Sequence, residues 1–154
     1  MLEEKKLTTI KHYDSLCEEA QYIRTEVFIK EQGFENEFDE WDDKVCHVVL
    51  FVDGKPAATG RLLLGKNNKT FVIGRVAVLQ EYRKLHLGSK IISELESEAE
   101  RLGGIRIELS AQCRAQGFYE KMGYVASGET YLDEYCEHIN MGKQLRNNGN
   151  NNAI

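Results

Sequence analysis

The sequence predicts an α/β fold whose sheet has antiparallel and parallel parts. Three observations carry that expectation. Two hairpin signals follow one another between residues 46 and 78, a long helical pattern comes directly after them, and a second strand-helix pair precedes two final strands. At 154 residues the chain suits one domain, assigned to 1–145, with the Asn-rich remainder 146–154 expected to be disordered.

Taken in order, LTTIKH (7–12) reads as a short strand. Asp14 or Ser15 then offers an N-cap for a helix with Leu16, Ala20, Ile23, Val27 and Phe28 on one face, ending near Gly33. From Glu31 to Asp43 there are seven acids and no base, with Phe34, Phe38 and Trp41 as aromatic anchors, so the segment reads as an irregular loop. VCHVVLFV, Asp53-Gly54 and KPAATGRLLL form a hairpin, because Asp-Gly supplies the positive φ angles of a tight turn. A second hairpin runs through GKNNK into TFVIGRVAVL. Leu87, Ile91, Leu95, Ala99 and Leu102 recur at helical spacing, with Glu94, Glu96, Glu98 and Glu100 turned largely outward and Gly103-Gly104 as the stop. IRIELSA is a strand, AQGFYEKM a short helix stopped by Gly123, and YVASGETYL and EHINMGK are the last strands.

The formal charge of −5 gives no global reason to bind nucleic acid or an anionic membrane. No apolar run approaches the roughly 20 residues of a membrane helix, and MLEEKKLTT has no apolar centre, so a cytoplasmic protein is expected. Cys17, Cys46, Cys113 and Cys136 lie far apart without a CxxC pair, and are expected to be reduced and mostly buried. Cys46-His47 and Cys136 with His138 lack ordered zinc spacing, so no metal is expected; a site assembled from distant segments is the alternative.

The stretch YRKLHLGSK (82–90) places Arg83, Lys84 and Lys90 around a Gly-Ser at the strand-to-helix junction. A helix N-terminus there presents unpaired N–H groups and the positive end of the helix dipole, which together cradle an anion. GxxxxGK[ST] is not matched by Gly88-Ser89-Lys90, and no GxGxxG follows the first strand, so neither ATP or GTP hydrolysis nor a dinucleotide fold is indicated. Without a ligand, the stretch is simply a basic helix start at the surface.

Arg83-x-x-His86-x-Gly88 resembles, with one substitution, the [Gln/Arg]-x-x-Gly-x-[Gly/Ala] motif by which the GNAT acetyltransferase superfamily binds the pyrophosphate of coenzyme A. IGRVAVL resembles that family's splayed central strand, and SAQCRAQGFYEKMGY its last strand-helix module. RTEVFIKEQ and EHINM are similar to the small ElaA-like and YjcF-like bacterial subgroup. The resemblance covers most of residues 20–143 and implies a mixed central sheet with helices on both faces. It also implies an N-acetyltransferase that moves an acetyl group from acetyl-CoA to a primary amine by direct transfer in a ternary complex. The alternative is a CoA-binding sensor or interaction module with weak or no catalysis.

Residue by residue, the resemblance implies that backbone groups of Val76, Ala77 and Val78 bind the pantetheine arm and polarise the thioester. Backbone N–H groups of Arg83, Lys84, Leu85, His86, Leu87, Gly88 and Ser89 would take the pyrophosphate, aided by the Arg83 and Lys84 charges. His86 becomes a neighbour of the phosphates, replacing a glycine. Tyr119 is implied as the general acid; a phenol of pKa about 10 can protonate a thiolate whose conjugate acid lies at about 8.5 to 10. From helical spacing alone, Tyr119 would be core packing beside Ala115, Phe118 and Met122. Gln112 is a hydrogen-bond partner for the donor or a helix-start residue. For the general base, Gly74-Arg75 stands where the family often carries a Glu, leaving Glu26 or Glu31, His138 or a water chain. The acceptor is a small-molecule, peptide or protein amine. The acidic 31–43 segment would either steer a cationic amine or form a solvated face. Exposed final strands fit a homodimer.

Overall fold

The computed structural model of the protein describes residues 6–145, so the tail expected to be disordered over 146–154 lies outside the described residues. Its elements follow the expected order: β1 (Thr8–Tyr13), α1 (Glu18–Arg24), β2 (Cys46–Val52), β3 (Lys55–Leu64), β4 (Thr70–Val78), α2 (Leu87–Arg101), β5 (Arg106–Gln112), α3 (Gln116–Lys121), β6 (Val125–Asp133) and β7 (Cys136–Gln144). The seven strands make one mixed sheet in the order β1-β2-β3-β4-β5-β7-β6. β4 and β5 are parallel, as their helical crossover α2 requires, while β5–β7 and β6–β7 are antiparallel. The β4–β5 ladder takes in Thr70–Val72 against Arg106–Glu108, the first third of β4. The chain groups into two compact units: the described residues up to Arg61 with Arg75–Ile92, and Leu62–Gly74 with the described residues from Ser93.

In the first unit, Ala20, Ile23, Val27 and Phe28 pack against Val49, Phe51, Ala77 and Leu79. The helix starts later than Asp14 or Ser15 would have it. Leu16 and Cys17 lie against this core, and the chain stays extended through Cys17, the N-cap, which offers no side-chain cap. After Arg24 the helix widens into π-helical turns over Thr25–Glu31, with Gln32 N–H donating to Val27 O at 3.1 Å, and closes at Gly33 with φ +77. Asp53 and Gly54 take φ +49 and +82, as a tight hairpin turn demands.

The acidic loop is neither a fully solvated face nor an open charge field. Glu37 and Asp42 are buried, and they meet two buried arginines, Arg24 and Arg61. Arg24 Nε donates to Glu37 Oε2 at 2.8 Å, and its two terminal nitrogens reach Asp42 at 2.7 and 3.0 Å. Arg61 bridges Asp39 and Asp42, each at 2.8 Å. Arg75 of β4 reaches Glu37 O through Nε and Nη2 at 3.1 and 3.0 Å. Burial alone would push the Asp42 carboxyl up, but the Arg24 hydrogen bond, the Asp39 N–H and the Arg24 and Arg61 charges outweigh it and hold Asp42 at about 2. Burial dominates at Glu37 and pushes its carboxyl up against the same guanidinium charges. Of the aromatic anchors, Phe34 stacks on Phe28 and Phe38 lies against the Arg24 guanidinium, whereas Trp41 stays half exposed beneath Lys44.

In the second unit α2 ends at Gly103 (φ +91), and Gly104 has no room for a Cβ, which would come within 2.7 Å of Phe71. Glu96 does not turn outward: it accepts from Tyr124 Oη at 2.7 Å and pairs with Lys143 at 3.1 Å. Leu102 is about half exposed, so the core stripe of α2 stops at Ala99. The β6–β7 turn places Glu134 and Tyr135 at φ +49 and +75, a turn without glycine that the sequence pattern does not announce. All four cysteines are free but only partly buried.

Candidate active site

β4 leads into a 3₁₀ turn, Gln80–Leu85, and then into one left-handed residue, His86, at φ +59 and ψ +35. α2 begins at the next residue, Leu87, so its first N–H groups open onto this turn. The position explains why a glycine would be at home there: what it requires is a positive φ, which histidine tolerates at a cost. His86→Gly is therefore expected to raise stability by up to about 1 kcal/mol, the relief of left-handed strain exceeding the added freedom of the unfolded chain. A lowered urea midpoint would mean that the exposed imidazole makes a stabilising contact. Ser89 Oγ donates to His86 O at 2.9 Å, and Arg83, Lys84 and His86 are exposed.

Two residues with separate expected roles meet here. Arg83 donates from Nε to Val78 O at 3.0 Å, and its guanidinium grips the Glu31 carboxylate at 2.7 and 2.6 Å. The hydrogen bond to Glu31 pushes the Arg83 guanidinium further up. That arrangement weakens Glu31 as a base, since a carboxylate held by a bidentate fork gives up stabilisation on taking a proton. Glu26 pairs with Lys30 at 2.8 Å. Val76, Ala77 and Val78 end β4, directly after Arg75, which sits at φ +54 within the strand. Such a residue breaks the pleat and redirects the backbone groups that follow it. Arg75, standing where an acid was wanted, instead holds one, Glu37.

In the second unit, Tyr119 lies half-buried on α3, its ring edge-on to Phe118 and Tyr124 at 5.0 and 5.8 Å. Burial pushes its phenol up to about 12, so it holds its proton firmly. Gln112 closes β5, accepts from Arg114 Nε at 3.0 Å and faces His138 across the β5–β7 ladder. His138 is buried, stacks on Tyr131 at 6.0 Å and places Nδ1 2.9 Å from Cys136 O.

The Arg24–Glu37–Asp42–Arg61–Arg75 cluster was not foreseen. Its signal was present: Arg24 stands on the apolar face of the first helix and Arg61 inside the apolar run ATGRLLL, where a lone cation needs buried carboxylates.

The model of the acetyltransferase (GNAT) domain family matches residues 14–145. YjcF of Bacillus subtilis (strain 168), described as an N-acetyltransferase, is 35% identical over 81% of this chain and 90% of its own. A Lactobacillus plantarum chain described as an N-acetyltransferase superposes with a TM-score of 0.82 at 28% identity, spanning 90% of this chain and 99% of that one. ElaA of Escherichia coli, at 23% identity, shares the fold with a TM-score of 0.77 over 90% of this chain and 99% of its own. With the family match spanning most of the chain and a YjcF relative above 30% identity, the chain belongs to the GNAT superfamily of acetyltransferases and is an acyltransferase.

Proposed function

We propose that this acyltransferase moves an acetyl group from acetyl-CoA to a primary amine, carried by a small molecule, a peptide or a protein, by direct transfer, and that residues 1–145 act as one domain. The observation that carries this reading is the left-handed His86, which delivers the chain from β4 straight onto the N-terminus of α2 among exposed Arg83, Lys84 and His86. This cradle fits a diphosphate: the free N–H groups at Leu87, Gly88 and Ser89 bind it, and Ser89 Oγ, already donating to His86 O, retains lone pairs rather than a second proton to offer. The Arg83 charge is shared with Glu31, so backbone N–H groups and Lys84 carry more of the attraction than Arg83 does.

Acetyl-CoA supplies the activated acyl group as a thioester. Backbone N–H groups over Val76–Val78, redirected by Arg75, polarise the carbonyl, and Tyr119 keeps a proton for the departing sulfur. A cytoplasmic location belongs to the same reading; no helix among the described residues is long and apolar enough to cross a membrane. A homodimer is supported by the edge strand β6, where Val125 and Leu132 are 70% and 72% exposed.

Millimolar coenzyme A or acetyl-CoA is expected to raise the melting temperature, whereas ATP and NAD at the same concentration raise it less, because ligand bound at 100 times its Kd adds about 2.7 kcal/mol of stability. Equal shifts for all four would remove the CoA reading. The rival reading, a CoA sensor, is favoured by one observation: Glu37, the carboxylate paired with Arg75 of the donor strand, is also held by Arg24. Thiol release on a panel of amines separates the two, since a sensor binds CoA without turnover.

A further inference from the structure

We infer that His138 is the general base of the acyl transfer, taking a proton from the acceptor ammonium on Nε2; this rests on the acetyl-transfer reading above. A backbone carbonyl can only accept a hydrogen bond, so the 2.9 Å contact of His138 Nδ1 with Cys136 O requires the proton on Nδ1. The neutral ring is thereby fixed as the tautomer whose Nε2 carries the lone pair. That nitrogen makes no hydrogen bond among the described residues, and it is not among the buried polar atoms left without a partner, which are His47 Nδ1 and Arg61 Nε. Nε2 is thus open at an otherwise buried residue.

The ring is also held in place. Tyr131, its ladder neighbour on β6, stacks against it, and the Tyr131 hydroxyl is fixed in turn by Ser110 Oγ and by Asn140 Oδ1 at 2.8 Å. On its other side, the ladder partner is Gln112, the last residue of β5. The C-terminal ends of parallel strands are where α/β sheets bind ligands, and from Gln112 the chain turns through Cys113–Ala115 into α3, which carries Tyr119. The titratable groups next to His138 are Tyr131 on β6, Cys136 and Glu137 on β7, and Cys113 after β5. The other two candidates are engaged, Glu26 by Lys30 and Glu31 by Arg83.

The step balances simply. The ammonium N–H proton passes to Nε2, giving an imidazolium that still donates from Nδ1 to Cys136 O. The freed amine lone pair attacks the thioester carbonyl, and the C–S bond breaks as the thiolate takes a proton from Tyr119. The extra proton still on the new amide nitrogen returns through water to the Tyr119 phenolate, and His138 returns its proton to solvent.

His138→Asn places an amide N–H where Nδ1 donates and removes Nε2. It is expected to lower kcat/KM for thiol release by about 100-fold to 10⁴-fold at neutral pH, with the CoA-induced thermal shift unchanged. The deficit should shrink as pH rises, because the amine then loses its proton to water unaided; a purely structural role would give a loss independent of pH. Should His138→Asn melt early, His138→Gln is measured in the same way. Activity within threefold of wild type in a folded variant, or a loss of constant size at every pH, overturns the assignment alone. A wild type that binds CoA but releases no thiol with any amine overturns both the assignment and the acetyl-transfer reading.

Discussion

Arg24→Met is expected to cost about 3 to 5 kcal/mol of stability, and urea unfolding measures it directly. Arg24 is fully buried and donates to Glu37 through side chain and backbone oxygen, and to both oxygens of Asp42. Its guanidinium also lies over the Phe38 ring, 4.7 Å from the centroid. Methionine restores the volume and none of the donors, so two carboxylates are stranded in a region from which water is largely excluded. Arg61 and Arg75 offset part of this, which sets the lower end of the range. A measured loss below about 1 kcal/mol would mean that the loop opens to hydrate its acids at little cost, and that the network is decoration on a fold held elsewhere.

Tyr119→Phe is expected to lower kcat for thiol release by about 100-fold or more, while leaving the CoA-induced thermal shift and the urea midpoint close to wild type. The substitution removes one oxygen. The ring contacts to Phe118 and Tyr124 are kept, and the hydroxyl makes no hydrogen bond among the described residues, so nothing structural goes with it. With its phenol pushed up to about 12 by burial, Tyr119 stays protonated across the working range. Its ionisation therefore contributes no alkaline limb to the rate profile below about pH 11, and any such limb belongs to another group. A kcat within twofold of wild type would end the assignment of Tyr119 as acid.

Most of the fold was legible because periodicity and punctuation agreed. Asp53-Gly54, Gly103 and Gly123 all take the positive φ angles that the sequence advertises, and the stripe from Leu87 to Ala99 lies on the core. What stayed hidden was long-range. Asp14 and Ser15 looked like caps, but where a helix begins is settled by which residues reach the core, and Leu16 and Cys17 reached it first. Glu134-Tyr135 carries no turn signal; the pairing of β6 with β7 imposes the turn upon it. In the candidate site, the 82–90 junction was readable because a strand feeding a helix through a basic turn has local chemistry. Arg83 with Glu31, and Glu37 with Arg24 and Arg75, were not, because each joins residues far apart in sequence. His138 shows the same limit: its residue type suggested a base, but only the carbonyl of Cys136 decides which nitrogen holds the lone pair.

The acidic loop also sets where the chain can be rewritten. Glu37, Asp39 and Asp42 are tethers, each held by at least one arginine, whereas Glu40, Trp41 and Asp43, between or beside them, are exposed. Tethers and exposed positions alternate so closely that the loop behaves like a fixed rail carrying changeable side chains. A library randomised at the exposed positions would vary what the loop displays without loosening its path, and a change of acceptor preference could be sought there without first rebuilding the fold.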